Sequence, residues 1–275
     1  MLRDLALHAL VVAMMAAVGL HLPLAEAWAG LRRVGVLALA LVANLVLVPA
    51  LVVGLGELLA LPDGARMGLL VCAAAPGGPT GPLFTRIARA DLGFGTSLQV
   101  LLSVLALVSA PLTLELLGRP GHESLVWPMV TTLAVFQLLP LGLGMLLRQL
   151  RPGWADRLGG PMGKLANALL LLVVLGLLVT QGQVLLAQGI GVHVAFVALV
   201  VAPLAIGVVW PAGALRPTML ALGVVTTVRN VSVALLLSAS FFAHDPAVDV
   251  AILVWGFYMM VIPGLLAWRL GRVAS

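Results

Sequence analysis

The sequence predicts an all-α membrane protein of about nine transmembrane helices. Of its 275 residues, 62% are hydrophobic and only 9% are charged, and the mean hydropathy is +1.19. Soluble domains carry roughly 25% charged residues, so this composition excludes a soluble globular protein. A helix that crosses a hydrocarbon core about 30 Å thick uses about 20 apolar residues, so nine spans occupy nearly the whole chain.

Continuously apolar stretches, separated by clusters of charged and turn-forming residues, mark the predicted spans. They cover residues 5–24, 34–56, 66–88, 93–117, 124–147, 162–186, 190–210, 216–242 and 247–268. Stretches of this length argue against a membrane β-barrel, whose strands are about ten residues long and alternate in polarity. We therefore expect a single integral membrane domain over residues 1–275.

The positive charges divide unevenly between the two sides of this arrangement. With the N-terminus outside, eleven Lys and Arg residues fall in cytoplasmic segments and three fall in outer segments. Because cytoplasmic loops are enriched in Lys and Arg, the bias predicts an outer N-terminus and a cytoplasmic C-terminus in a bacterial cytoplasmic membrane. The charges form no basic cluster in polar surroundings, so no nucleic-acid partner is expected.

Two of the predicted spans contain an interruption. Three Pro and three Gly fall within residues 76–82 of the third span, a composition that no regular helix accommodates. In the eighth span, residues 225–230 form a polar and β-branched cluster without Gly or Pro, which is a weaker signal. In lipid, the backbone groups freed at such breaks must face protein or a water-filled cavity.

The two interruptions lie at matching distances from an arginine. Arg66 precedes Gly77 by 11 residues, and Arg216 precedes Thr227 by 11 residues. Secondary transporters built from inverted repeats have broken helices at corresponding places, with substrate bound there near the midplane. The pattern predicts repeats over approximately residues 1–118 and 119–275.

Arg229 is the fifteenth Lys or Arg residue, and it falls near the middle of the eighth span. A charge at this depth costs about 2.5–3.5 kcal/mol, and such residues usually line a cavity or a pathway. Two roles remain open. The guanidinium attracts the carboxylate or sulfonate of a bound anion, or it donates hydrogen bonds to backbone carbonyls at the two breaks.

Pro76-Gly77-Gly78 at the first break and Arg229-Asn230 at the second belong to a series of stretches that resembles the bile acid:sodium symporter family in its nine-span, N-out branch. The similarity runs in order from about residue 5 to 268, and the Pro-Gly-Gly at the first break is its most specific element. The matching residues are Pro76-Gly77-Gly78, the basic turn from Arg86 to Asp91, Ala110-Pro111-Leu112, Asn44 with Pro49, Arg229-Asn230 in place of Gln-Asn, and Val254-Trp255.

The resemblance implies a panel domain and a core domain that contains two crossed broken helices. It also implies alternating-access transport of an organic anion, either bile acid-like or a small carboxylate or sulfonate, by sodium symport. The partners expected are this anion and the lipid bilayer. An enzyme is not expected, because no span pairs a nucleophile with a base and no metal cluster is present.

The predicted substrate positions gather around the breaks, and Asn230 falls where the family contacts substrate. They are Arg229, Asn230, Thr227, Thr226, Pro79 and Thr80. For the hydroxyl and amide residues, helix packing by small polar groups is an equal alternative.

The positions that would hold sodium depart from the family pattern. They are Asn44, Gly81, Pro82, Gly95, Gln99 and Val225, where the family has Gln, Ser-Asn, Ser or Thr, and Glu. A sodium ion about 4 Å from the Arg229 guanidinium is repelled by roughly 4 kcal/mol at an effective dielectric constant near 20. The alternative is a sodium-independent carrier or exchanger in which Arg229 replaces the bound cation and Asn44 bonds to Arg229 or to a break carbonyl. No other cofactor is expected.

Overall fold

The computed structural model describes residues 2–23, 25, 32–118, 124–209, 213–242 and 245–273, and nearly all of them are helical. Seven helices in this part of the chain are long and apolar enough to cross a membrane. They cover residues 4–21, 34–58, 92–117, 126–150, 152–176, 190–208 and 246–266. The prediction of an all-α membrane protein is confirmed.

The helices are numbered here in chain order. They are α1 (Leu2–His21), α2 (Val34–Val42), α3 (Val48–Leu58), α4 (Asp63–Ala74), α5 (Gly81–Ile87), α6 (Leu92–Leu117), α7 (Val126–Leu133), α8 (Leu139–Leu150), α9 (Pro152–Leu186), α10 (Ile190–Val208), α11 (Arg216–Thr227), α12 (Val231–Phe241) and α13 (Pro246–Val273). Helix α9 begins earlier than the predicted residue 162, since Pro152 suits the first position of a helix.

The two spans predicted to be interrupted are each divided into two short helices. Helices α4 and α5 occupy the third predicted span, and α11 and α12 occupy the eighth. Neither pair is one of the seven long helices. Counting each pair as one crossing is consistent with nine spans, and the number of spans and the inverted repeat stay predictions.

Two further spans contain a π-helical turn that ends two residues before a proline. The segment Ala43–Leu47 joins α2 to α3, and Ala134–Leu138 joins α7 to α8. Pro49 and Pro140 follow these segments and have no N–H to donate to the carbonyl four residues earlier. The helix widens there to bonds between residues five apart, as when the Val48 N–H donates to the Ala43 carbonyl. Each π segment carries one buried amide side chain, Asn44 or Gln137.

The helices pack in two groups. Helices α1, α7, α8 and α9 form the first group, in which α1 lies against both α8 and α9. The remaining helices form the second group, in which α13 packs on α4 and α10 packs on α11. The groups meet where α1 contacts α12, where α7 contacts α6 and where α9 contacts α13. The resemblance implies a panel domain and a core domain, and the assignment of these two groups to them stays a prediction.

We predict that Asp63 faces the outside and that Gly153 faces the cytoplasm. Both are exposed, and a Cβ on Gly153 meets nothing within 4 Å. In a Cys72→Ala background, a membrane-impermeant maleimide should label Asp63→Cys on intact cells and Gly153→Cys only after permeabilisation. The reverse labelling pattern would show that the charge bias was assigned to the wrong side.

Candidate functional site

The two breaks cross each other and share backbone hydrogen bonds. Pro76 and Arg229 pair in an antiparallel bridge. The Asn230 N–H donates to the Ala75 carbonyl at 2.9 Å, and the Gly78 N–H donates to the Val228 carbonyl at 3.3 Å. Backbone groups that a helix would otherwise satisfy are therefore satisfied by the other break.

The glycines of the Pro-Gly-Gly sequence are required by this crossing. Gly77 has a φ of +82°, in the left-handed region that side chains disfavour. A Cβ on Gly78 would lie 2.4 Å from the carbonyl oxygen of Arg229. The two chain segments can approach this closely at the crossing because neither glycine carries a side chain.

Polar side chains on α6 hold the first break in place. The Ser103 hydroxyl donates to the Gly77 carbonyl at 3.1 Å, and the Gln99 amide donates to the same oxygen at 3.3 Å. The Gln137 amide from the other helix group donates to the Ser103 carbonyl at 2.7 Å. Gln99, a predicted ion-site position, thus supports a break carbonyl. Ser103 was missed by the sequence analysis, because nothing local marks a contact to a residue 26 positions away.

Arg229 is fully buried at the crossing. Its Nη1 donates to the Asn44 Oδ1 at 3.2 Å, whereas its Nε and Nη2 have no hydrogen-bond partner among the described residues. Its backbone N–H points to the Met259 sulfur at 3.3 Å. Within the described part of the chain, no carboxylate pairs with the guanidinium and no break carbonyl accepts a hydrogen bond from it. The geometry therefore does not support the alternative in which Arg229 donates hydrogen bonds to backbone carbonyls at the two breaks.

Asn44 connects the guanidinium to the second broken span. Its Nδ2 donates to the Thr226 hydroxyl and to the Ala40 carbonyl, both at 2.8 Å, while its Oδ1 accepts from Arg229. Of the two contacts expected for this residue, the structure shows the one with Arg229.

A cavity of about 580 Å³ lies beside the crossing, and we call it the Arg229 cavity. Arg229, Pro79 and Thr80 are on its wall, and the Thr80 hydroxyl has no partner in the described residues. Most of the remaining wall is apolar. It is formed by Met14, Leu170, Val174, Val231, Val250, Leu253, Val254, Gly256, Phe257, Met259 and Met260, with Ser232, His193 and Tyr258 as polar members.

The other three predicted substrate residues do not appear on this wall. The Asn230 side chain caps α12 by accepting from the Val233 N–H and the Ser232 hydroxyl. The Thr227 hydroxyl donates to the Gly223 carbonyl at 2.9 Å, and Thr226 accepts from Asn44. These side chains position the break.

Ser232, His193 and Tyr258 are cavity residues that the sequence analysis did not select. Ser232 follows the predicted Asn230 by two residues, and that proximity could have indicated it. The Tyr258 hydroxyl and the His193 Nδ1 lie 3.2 Å apart. His193 lies in the first turn of α10, and the sequence does not show which helix faces it.

A second cavity of about 670 Å³ shares Met14, Pro79 and Thr80 with the first, and we call it the Arg86 cavity. Its other polar lining residues are His21, Arg86, Thr96, Gln99 and Asn167. His21 ends α1 and His193 begins α10, so in the predicted topology the two cavities lie in opposite halves of the membrane. Met14, Pro79 and Thr80 stand between them.

The predicted ion-site positions provide few oxygen ligands for a sodium ion. Gly81 and Pro82 carry no side-chain oxygen, and the Val225 methyl groups lie against Gly81. The space beside Gly95 is filled by Thr85, whose hydroxyl donates to the Gly81 carbonyl. No group of three or more His, Cys, Asp and Glu residues gathers anywhere in the described ranges. Sodium prefers several oxygen ligands, and the residues here do not fit that requirement.

Fold and site together define a helical membrane protein in which two interrupted spans cross beside a cavity. Residues 8–188 match the model of the Sodium Bile acid symporter family. That stretch is more than half of the chain, so the protein belongs to this family, and the resemblance is confirmed. A comparison with curated proteins finds no match.

Membership makes the chain an integral, multi-pass protein of a transporter family. The matched stretch contains the first break and the π segments, whereas the second break, with Arg229, lies beyond it. The family match therefore does not cover Arg229, and only the geometry of this chain bears on its role.

We predict that Gly78→Ala destabilises the protein because the added Cβ meets a backbone oxygen that the crossing holds in place. Overpacking of this kind costs about 1–3 kcal/mol. Gly142→Ala is the matched control, since its Cβ meets nothing within 4 Å. Thermal unfolding in detergent should show a lower midpoint for Gly78→Ala and an unchanged or higher one for Gly142→Ala. Equal midpoints would contradict the close crossing.

Proposed function

We propose that this protein is a secondary transporter of an amphipathic organic anion whose acidic group binds Arg229. One observation carries the proposal: Arg229, whose buried guanidinium has no carboxylate partner in the described chain, is among the residues that line the Arg229 cavity. A buried charge without a partner costs several kcal/mol, and an anion entering the cavity supplies the missing partner.

The free donors of Arg229 suit a carboxylate or a sulfonate. Nη1 is engaged by Asn44, which leaves Nε and Nη2. These two N–H groups lie on the same edge of the planar guanidinium and point in parallel, so they match two oxygens of one acidic group. Asn44 thereby orients the fork, and the Thr80 hydroxyl on the same wall offers a further hydrogen bond.

The size and chemistry of the cavity favour a large apolar body attached to the acidic group. A volume of about 580 Å³ falls within the roughly 300–1,000 Å³ typical of small-molecule sites. A small keto acid would leave most of this space to water in contact with apolar side chains. Three methionines, Met14, Met259 and Met260, line the wall, and their flexible side chains adapt to irregular apolar surfaces.

The arrangement of the two cavities supports alternating access. Met14 belongs to α1 in the first helix group, whereas Pro79 and Thr80 belong to the first break in the second group. A displacement of one group against the other therefore changes the barrier between the cavities. With the N-terminus outside, as the charge bias predicts, the Arg229 cavity faces outward and the Arg86 cavity faces the cytoplasm.

The residues at the predicted ion positions favour transport that does not depend on sodium. The family name implies sodium coupling, but Val225 stands at the position of the family's carboxylate and Arg229 at the position of its amide. The guanidinium supplies a positive charge where a bound ion would supply one. The contact between Arg229 and Asn44 is the observation that supports this assignment.

We predict that Arg229→Gln weakens anion binding by about tenfold to a hundredfold, because hydrogen bonds to charged groups contribute about 1.5–3 kcal/mol. Thermal-shift titrations of purified protein with cholate and with cholate methyl ester measure this effect. Cholate should stabilise the natural protein more than the uncharged ester does, and Arg229→Gln should remove the difference.

The matched control is Arg66→Gln, which removes an exposed guanidinium paired with Glu57. Its preference for cholate should equal that of the natural protein. An undiminished preference in Arg229→Gln would exclude the proposed binding role.

We also predict that taurocholate uptake by reconstituted vesicles is the same in sodium and in choline buffer. The donor set at the predicted ion positions has no carboxylate to hold a dehydrated sodium ion beside Arg229. Initial uptake rates at equal ionic strength provide the measurement. Accumulation that requires a sodium gradient would contradict sodium independence and leave anion transport intact.

A further inference from the structure

We propose that His193 and Tyr258 form a second polar subsite of the Arg229 cavity, which binds a hydroxyl group at the end of the substrate opposite to its acid. This inference rests on the proposed function, in which the cavity takes an amphipathic organic anion. It deepens that function by assigning a second functional group to the substrate, so the substrate class becomes a hydroxylated amphipathic anion.

The two residues of this pair are held together across two helices. His193 belongs to α10 and Tyr258 to α13, and the hydroxyl of the tyrosine lies 3.2 Å from the histidine Nδ1. The Tyr258 ring also stacks on Phe196 with ring centroids 6.0 Å apart. Both residues of the pair line the cavity and are partly exposed, whereas Arg229 is fully buried. A ligand in the cavity can therefore reach the pair.

The pair lies at a distance from the crossing. The Thr227 hydroxyl donates to the Val200 carbonyl of α10 at 3.3 Å, and this contact marks the level of the second break. His193 precedes Val200 by seven residues, which is about 10 Å along a helix. Tyr258 reaches this place from nearer the crossing, since the next residue, Met259, contacts the second break. Helical side chains point toward the N-terminal end of their helix, as this one does.

The polar lining residues of the cavity divide between these two places. Thr80, Arg229 and Ser232 belong to the two breaks, and His193 with Tyr258 forms the distant pair. The other described residues of the wall carry no polar side chain. A molecule that fills the cavity meets polar groups at two ends and apolar side chains between them. This arrangement matches an acid, an apolar body and a second polar group.

The hydrogen-bonding capacity of the pair suits a hydroxyl group in either tautomer of His193. If Nδ1 accepts from the Tyr258 hydroxyl, Nε2 is a donor and the phenolic oxygen still accepts. If Nδ1 donates, Nε2 is an acceptor and the phenolic hydroxyl is free to donate. Each tautomer leaves one donor and one acceptor. A ligand hydroxyl pairs with either of them, whereas a ketone or an ether pairs with the donor alone.

The same contact joins α10 to α13, so removing it also affects helix packing. A purely structural role would change the stability of the protein and would leave its choice between two ligands unchanged. The test therefore compares two ligands in each variant. Lithocholate and cholanate share one steroid skeleton and one carboxylate, and they differ by a single hydroxyl at the end of the steroid farthest from the acid.

Thermal-shift titrations of the purified full-length protein give an apparent dissociation constant for each ligand. The measured quantity is the constant for cholanate divided by that for lithocholate. Partition of the ligands into detergent micelles is the same for every variant, so it cancels when this ratio is compared between variants. In the double variant Tyr258→Phe with His193→Phe, which keeps both rings, the ratio should fall about twofold to tenfold, the contribution of one neutral hydrogen bond.

The matched control is His8→Phe on α1. The His8 ring packs edge to face on Phe136, and its Nδ1 contacts the Asp4 carbonyl of its own helix, so it lines neither cavity. Its ratio should equal that of the natural protein. An unchanged ratio in the double variant, or an equal fall in His8→Phe, would overturn the hydroxyl subsite.

A second measurement needs no variant. Tyr258 is the only tyrosine of the chain, so an isotope label on the ring carbon that bears the hydroxyl gives a single magnetic resonance signal. Lithocholate should move this signal further than cholanate does, because only lithocholate offers a hydrogen bond to the pair. Equal displacement by both ligands would contradict the contact.

Arg229→Gln separates this inference from the proposed function. This variant should lose the preference for cholate over its methyl ester and keep the ratio between cholanate and lithocholate, since the pair lies away from the guanidinium. If the double variant keeps its ratio while the natural protein still prefers cholate to the ester, the second subsite is wrong and the proposed function stands. If Arg229→Gln keeps its preference for cholate, the acid-binding role fails, and the hydroxyl subsite is judged by its own ratio.

Discussion

The rest of this structure depends on the backbone hydrogen bonds that the two broken spans make with each other. Lipid offers no hydrogen bonds, so an interrupted span survives only where protein or water replaces its helical partners. Here each break donates to the other, through Asn230 to Ala75 and through Gly78 to Val228. Because the two backbones bond directly, the crossing requires glycine in the first break. Side chains such as that of Arg229 lie around the crossing and not within it.

The placement of Arg229 depends in turn on a proline in another span. Pro49 cannot donate a backbone hydrogen bond, and the π segment before it carries Asn44. That amide holds one end of the guanidinium and the Thr226 hydroxyl at once. A similar segment before Pro140 carries Gln137, which bonds to the Ser103 carbonyl while the Ser103 hydroxyl supports Gly77. Both breaks are thus held by amides from π turns, one from each helix group.

Composition and spacing predicted the fold class and the first break, since three prolines and three glycines leave no regular helix in residues 76–82. The second break was predicted only from the weaker signal of residues 225–230, because its cause is the partner backbone rather than its own residues. The same reason explains the missed Ser103 and His193, whose roles come from helices distant in sequence. Asn230 was selected as a substrate residue, but the hydrogen bonds that make it the cap of α12 appear only in three dimensions.

The crossing also imposes an order on the synthesis of the protein. Pro76 leaves the ribosome long before Arg229, since 153 residues separate them in the sequence. At roughly 5–20 residues per second, the first break waits about 8–30 s for the strand that completes its hydrogen bonds. During that time its exposed amides and carbonyls must stay in contact with water or with the insertion machinery. The Ala75 carbonyl and the Gly78 N–H therefore gain their partners only after the eighth span has been synthesised.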